Sequence, residues 1–214
     1  MSLKEQLDQT KAAFISNIPA EVQTEIFQCI KDQQQSGIIV GLNAGDKAPN
    51  FSLMNSLGKQ VTLYDELAKS PVILIFYRGS WCPFCNVQLR AYQQVLSEIQ
   101  NDGAQLIAVT PQRPDKSLSQ KEKENLAFQV LSDLNGYVAE RYQILFELPG
   151  YLQNTFQNKL GLNLTAFNKS DRWVLPVPAT YLIDKEGLIR YAHVDPDFMK
   201  RLEPQVIIEQ LKKL

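Results

Sequence analysis

Apolar residues fall in short blocks along this chain, and their spacing changes character near residue 45. Before it, Leu3 to Ile15 and Pro19 to Gln35 are polar-rich helical stretches, the second opened by Pro19 and closed by Gly37. Val22, Ile26, Phe27 and Ile30 recur at helical spacing. Residues 1–44 are therefore predicted to form a helical arm, packed on the rest of the chain or on a second subunit of a homo-oligomer. From Gly45 onward, short strands and helices alternate in one domain, 45–214. Phe51 to Met54 and Val61 to Leu63 flank a turn at Leu57-Gly58-Lys59 and predict an opening hairpin. Pro71 to Tyr77 and Gln105 to Val109 are apolar without alternation, as strands buried on both faces are. Between them Val87, Ala91, Val95 and Ile99 repeat every four residues and predict one amphipathic helix ending near Gly103. A right-handed crossover makes the two strands parallel neighbours.

The second half is less regular. Leu118 to Leu126 predicts a charged surface helix, Phe128 to Leu131 a short strand, and Tyr137 to Ile144 another helix. Leu148 to Trp173 reads as an insertion, helical at Leu152, Phe156 and Leu160 and then a polar loop from Gly161. Thr180 to Ile183 and Leu188 to Val194 flank Asp184-Lys185-Glu186-Gly187 as a hairpin, and Val206 to Leu214 predicts a closing helix. The whole is an α/β domain with helices on a central sheet.

Composition narrows the function. Of 214 residues 44% are hydrophobic and 21% charged, and the net charge of −1 is spread along the chain, which gives no electrostatic footprint for nucleic acid or an anionic membrane. Met1 to Thr10 is polar, and no run of about 18 apolar residues occurs, so a cytoplasmic location is expected. Three cysteines are too few for a disulfide-stapled secreted scaffold.

Two of them stand in Trp81-Cys82-Pro83-Phe84-Cys85, directly after the buried strand and at the start of the long helix. Pro83 suits the first helical position, which makes Cys82 the N-cap. Unpaired backbone N–H groups and the positive end of the helix dipole stabilise a thiolate there, so a lowered pKa is expected at Cys82. Cys85 lies one turn on and can close a local disulfide with it. Zinc would need four ligands, and the chain offers a single histidine and no second cysteine pair. A reactive dithiol is the better reading than a metal clip or inert packing.

On these residues the chain, from 45 to 194, resembles the alkyl hydroperoxide reductase/thiol-specific antioxidant family, in particular its peroxiredoxin-like members. Gly45 to Leu53 resembles the family's entry segment, Phe76 to Cys85 its active-site segment, and Pro178 to Asp184 its late core strand. The resemblance implies a thioredoxin-like fold and reduction of hydroperoxides through a Cys82/Cys85 dithiol cycle. Recharging by thioredoxin or a similar donor follows from it, and no bound cofactor is required. The family pattern Pro-x-x-x-Thr-x-x-Cys places the attacking cysteine at Cys85, but Arg78 stands in the proline place and Cys82 in the threonine place. Pro178 occupies the place of a family arginine. These departures resemble thioredoxins instead, in which the first cysteine, here Cys82, attacks and a cis-proline, here Pro178, helps bind the substrate. The order of attack is thus open, and a thioredoxin-like disulfide oxidoreductase and a redox-sensing interaction protein stand as alternatives.

Most of the other candidates carry two readings. Arg78 and Arg172 supply positive charge to a thiolate or peroxide, or are surface or structural arginines. Trp81 shields the dithiol from water or is core; Trp173 reads only as core. His193 is a general base or, better, a partly exposed strand residue. Cys29, in the arm, is a small packed hydrophobe or the source of an intersubunit disulfide.

Overall fold

A computed structural model describes residues 1–37 and 40–214. The chain opens with α1 (Leu3–Asn17) and α2 (Ala20–Ser36). Ser2 accepts from the Glu5 N–H while the Glu5 carboxylate accepts from the Ser2 N–H, a reciprocal cap, and α2 stops at Gly37, whose φ of 62° favours glycine. There follow β1 (Ser52–Asn55), β2 (Gln60–Thr62), α3 (Leu63–Leu67), β3 (Val72–Phe76), α4 (Pro83–Gln94), α5 (Leu96–Asn101) and β4 (Gln105–Thr110). Then come α6 (Pro114–Glu124), β5 (Gln129–Ser132), α7 (Tyr137–Arg141), β6 (Leu145–Glu147), α8 (Gly150–Asn154) and a π-helical turn (Thr155–Lys159). The chain ends with α9 (Leu164–Asn168), β7 (Val174–Pro176), β8 (Ala179–Ile183), β9 (Ile189–Val194) and α10 (Pro204–Leu211).

Seven strands form one mixed sheet in the order β2-β1-β5-β4-β3-β8-β9. β3 runs parallel to β4, as the crossover predicts, and antiparallel to β8. All five residues of β3 are inaccessible to solvent: Ile73 and Ile75 join the core on one face, and Val72, Leu74 and Phe76 join the core on the other. This burial on both faces explains its unbroken apolar run. Leu3, Leu7, Val22, Ile26 and Ile30 of the first two helices share the core on the face of Ile73 and Ile75. The arm's stripe thus packs on its own chain.

The structure departs from expectation in four places. The predicted helix over Val87 to Ile99 is two helices, broken at Val95 (φ −104°, ψ 9°), and both keep the apolar stripe inward, so the period runs through the break unseen. The helix predicted over Tyr137 to Ile144 stops at Arg141, because Gln143 takes a positive φ and Ile144 turns towards β6. Within the insertion the polar loop contains α9, capped by the Asn163 side chain accepting from the Ala166 N–H. The segments that flank the insertion also pair, as β6 and β7, three residues each and too short to show a period.

Candidate active site

The loop between β3 and α4 carries the dithiol, and a polar network holds it. Ser80 donates its N–H to Gln112 Oε1 (2.8 Å) and accepts from Asn86 Nδ2 at its carbonyl (2.8 Å). Gln120 Nε2 donates to Asn86 Oδ1 (2.7 Å), and the buried Tyr77 hydroxyl donates to Gln120 Oε1 (2.7 Å). Buried polar groups that are satisfied in this way make a rigid frame. Gly79 (φ 149°) has the Trp81 indole laid against it, and a Cβ there would stand 2.5 Å from Trp81 Nε1.

Cys82 is the N-cap of α4 and Pro83 its first residue, as predicted, and the backbone N–H groups of Cys85 and Asn86 both donate to the Cys82 carbonyl. The Cys82 side chain makes no capping hydrogen bond. Both sulfurs are buried and both are free thiols.

Electrostatics divides the pair in the opposite sense to the cap argument. Burial pushes the Cys82 thiol well up, and its hydrogen bond to Cys85 together with the charge there pushes it further. Burial also works against ionisation at Cys85. There it is overcome by the hydrogen bond from Cys82, the guanidiniums of Arg201 and Arg78 and a backbone hydrogen bond from Arg78, which together bring Cys85 down to about 5. The expected lowering at Cys82 is therefore corrected: tertiary charges converge on Cys85, and the cap's own sulfur makes no bond to the helix N–H groups.

Arg201 is the residue that sequence reasoning missed. It lies between β9 and α10, 116 positions from Cys85, and its Nη2 donates towards Cys85 Sγ at 3.5 Å. Its Nε donates to Gln88 Oε1 (2.8 Å), one turn after Cys85 on α4, and its Nη1 donates to the carbonyls of Phe198 and Lys200. Gln88 in turn donates to Thr180 Oγ1 (3.4 Å) on β8. No local signal in Lys200-Arg201-Leu202 announces this; the burial of Arg201 (9% exposed) is the clue, and it exists only in three dimensions.

Arg78 is not a surface arginine. It is 5% exposed, its guanidinium lies 4.0 Å from the Phe198 ring centroid, 4.9 Å from Trp81 and 5.8 Å from Phe156, and its Nε has no hydrogen-bond partner. Trp81 is half-buried, meets Phe156 edge-on at 5.7 Å and walls a pocket of about 300 Å³ that reaches Cys82. Pro178 is buried beside Arg78, lining a cavity of about 20 Å³. Every described peptide bond is trans, so Pro178 does not meet the cis condition of the thioredoxin comparison.

Among the described residues, the remaining candidates make no hydrogen bond to either sulfur. Arg172 donates to the Asn135 carbonyl (2.9 Å) and sits 3.9 Å from Glu140. His193, half-buried on β9 opposite Thr180, has its pKa lowered by burial and its Nε2 unpartnered. Trp173 packs against the core, as predicted. Cys29 is buried on the arm; burial pushes its thiol up, and it lines the small cavity that also holds Arg78.

This geometry can do one thing well: a buried thiolate, held by two cations, stands one helical turn from a protonated thiol. Comparison with known proteins bears on its use. The sequence model of the AhpC/TSA family matches residues 44–192. The chain is 30% identical over 172 residues to Peroxiredoxin Bcp of Escherichia coli (strain K12), covering 80% of this chain and 97% of the relative. Among solved structures, Peroxidoxin BcpB from Mycobacterium tuberculosis superposes with a TM-score of 0.64 at 18% identity, covering 81% of this chain and 98% of that one. A peroxiredoxin-like protein from Aquifex aeolicus superposes with a TM-score of 0.63 at 16% identity, covering 82% and 90%. These two share the fold, which is the thioredoxin-like one the resemblance implies.

Proposed function

The chain belongs to the AhpC/TSA family, and on that premise we propose that it reduces hydroperoxides by a dithiol cycle in which Cys85 attacks first. One observation carries the order of attack: Arg201 Nη2 stands 3.5 Å from Cys85 Sγ, so the thiolate forms there. The Cys85 thiolate attacks the near oxygen of the O–O bond and becomes a sulfenic acid, while the alkoxide takes a proton and leaves as an alcohol. Cys82 then attacks the sulfenic sulfur, expelling water and closing the disulfide. Two electrons from an external thiol donor of the thioredoxin type reopen it. Arg78, whose charge acts on the Cys85 thiolate, positions the hydroperoxide there, and Trp81 and Pro178 flank Arg78 and keep its guanidinium in place. Three free thiols suit the reducing cytoplasm, and no helix among the described residues is long and apolar enough to cross a membrane.

Stopped-flow oxidation by hydrogen peroxide and by an alkyl hydroperoxide tests this reading. The expected result is oxidation of the wild type far faster than free cysteine, with turnover when a thioredoxin system is supplied; a rate no faster than free cysteine overturns it. A second expectation concerns motion. Because the resolving thiol is one turn away, closing the disulfide leaves α4 intact, and amide hydrogen exchange across residues 82–90 should be unchanged on oxidation. Marked loss of protection there would show that the helix must unfold.

A further inference from the structure

Arg78 is a buried cation whose Nε finds no hydrogen-bond partner among the described residues and whose guanidinium lies against the three rings already described. Buried polar groups are normally paired, and buried charges more strictly so. Neither the 300 Å³ pocket nor the small cavity beside it is lined by any aspartate or glutamate. In the dithiol state the Cys85 thiolate is the anion that Arg78 and Arg201 share. Closing the disulfide abolishes that thiolate and leaves two buried guanidiniums with no anion between them. The oxidised site therefore lacks one negative charge.

In the oxidised protein the 300 Å³ pocket presents Cys82 of the disulfide to an incoming thiol. Phe14 and Ile18 of the arm, Leu160 and Leu162 beyond the π-helical turn, and Trp81 wall it, and of the two sulfurs it reaches only Cys82. Cys85 lies behind. Attack at Cys82 is also the chemically favoured direction, because Cys85 is then the leaving thiol, and thiols that ionise readily leave faster.

Resting on the dithiol cycle above, we propose that this pocket binds a low-molecular-weight thiol carrying a carboxylate, which Arg78 anchors while the thiol reduces the disulfide at Cys82. This is a second route of recharging beside the protein donor. The thiol loses its proton to solvent, and its sulfur bonds to Cys82 Sγ as the Cys82–Cys85 bond breaks with its electron pair going to Cys85. A second thiolate of the same kind attacks the incoming sulfur of the mixed disulfide. It releases Cys82, which takes a proton, and the two small thiols leave as their own disulfide, having supplied two electrons.

The test starts from protein oxidised by diamide, so that the Cys82–Cys85 disulfide is made without peroxide and a failure of the peroxidase reading shows separately. Its reduction is followed with 3-mercaptopropionate, 2-mercaptoethanol and cysteamine, each rate divided by that thiol's rate with the neutral, chromogenic disulfide 4,4′-dithiodipyridine. The expected result is a preference for the carboxylate over the neutral thiol of roughly tenfold or more, and a larger one over the cationic thiol, the size a charge-assisted hydrogen bond gives. Arg78→Met should bring the ratio to about one, and Arg78→Lys, which keeps the charge, should retain part of it; each ratio is internal to its variant, so slower overall reduction does not disturb it. A wild-type ratio within twofold of one, or a wild-type ratio kept in Arg78→Met, overturns the proposal.

Discussion

Replacing Cys85 by serine should abolish hydroperoxide consumption, whereas replacing Cys82 should leave a single round of it intact. At pH 7 a thiol with a pKa of about 5 is roughly 99% ionised, while one held above 9 is ionised to about 1% or less. The two sulfurs therefore differ by about a hundredfold or more in thiolate, the species that attacks. In Cys85→Ser the serine hydroxyl stays protonated and the remaining thiol is Cys82, which burial still holds up although the charge of Cys85 is gone, so oxidation should fall far below that of the wild type. In Cys82→Ser the serine hydroxyl can still donate to Cys85, and one equivalent of peroxide should be consumed rapidly. Turnover then stops, because nothing resolves the sulfenic acid, and dimedone should label Cys85. Stopped-flow fluorescence and mass spectrometry of the labelled protein read both halves. The reverse pattern, a burst in Cys85→Ser and none in Cys82→Ser, would restore the order of attack that the helix cap alone suggests.

That contrast marks where the chain is legible from its residues. The positions of Cys82 and Cys85 at a strand-helix junction follow from local chemistry: an apolar run, a proline at the first helical position and a four-residue period. The parallel β3–β4 pair and the hairpin of β8 and β9 are legible for the same reason, since apolar runs and turn residues sit next to the elements they delimit. What escapes is set by distant partners. The pairing of β6 with β7 joins segments almost thirty residues apart, with only three residues on each side. The break at Val95 keeps the apolar stripe on one face and leaves the period undisturbed. The choice between the two sulfurs escapes most completely. The cap rule is local and favours Cys82, but the charges that decide are Arg78, a candidate charge that its residue context assigns to neither sulfur, and Arg201, which follows a lysine in a segment rich in charge.

Arg201→Met should therefore do what removal of a remote surface charge would not. Methionine fills much of the same volume but withdraws the cation and the hydrogen bond at Cys85 Sγ, together with the bonds to Gln88 and to the Phe198 and Lys200 carbonyls. A hydrogen bond to a charged group contributes about 1.5 to 3 kcal/mol, enough to move the midpoint from about 5 to roughly 6 or 7, so the peroxide rate near pH 6 should fall about two- to fifteenfold. The sign of the pH dependence separates activation from structural damage. In the wild type, alkylation of Cys85 by iodoacetamide should be level above pH 6 and fall as the pH drops through about 5, where the thiolate is protonated. In Arg201→Met the midpoint should move up towards the ordinary thiol value of 9, so that reactivity lost at pH 6 returns as the pH rises. Arg201→Lys, which keeps the charge without the planar fork, should lie between the two. If Arg201→Met is slow at every pH with its midpoint unmoved, Arg201 braces α4 through Gln88 and does not make the thiolate; a moved midpoint with recovery at high pH can come only from a cation acting on the sulfur itself.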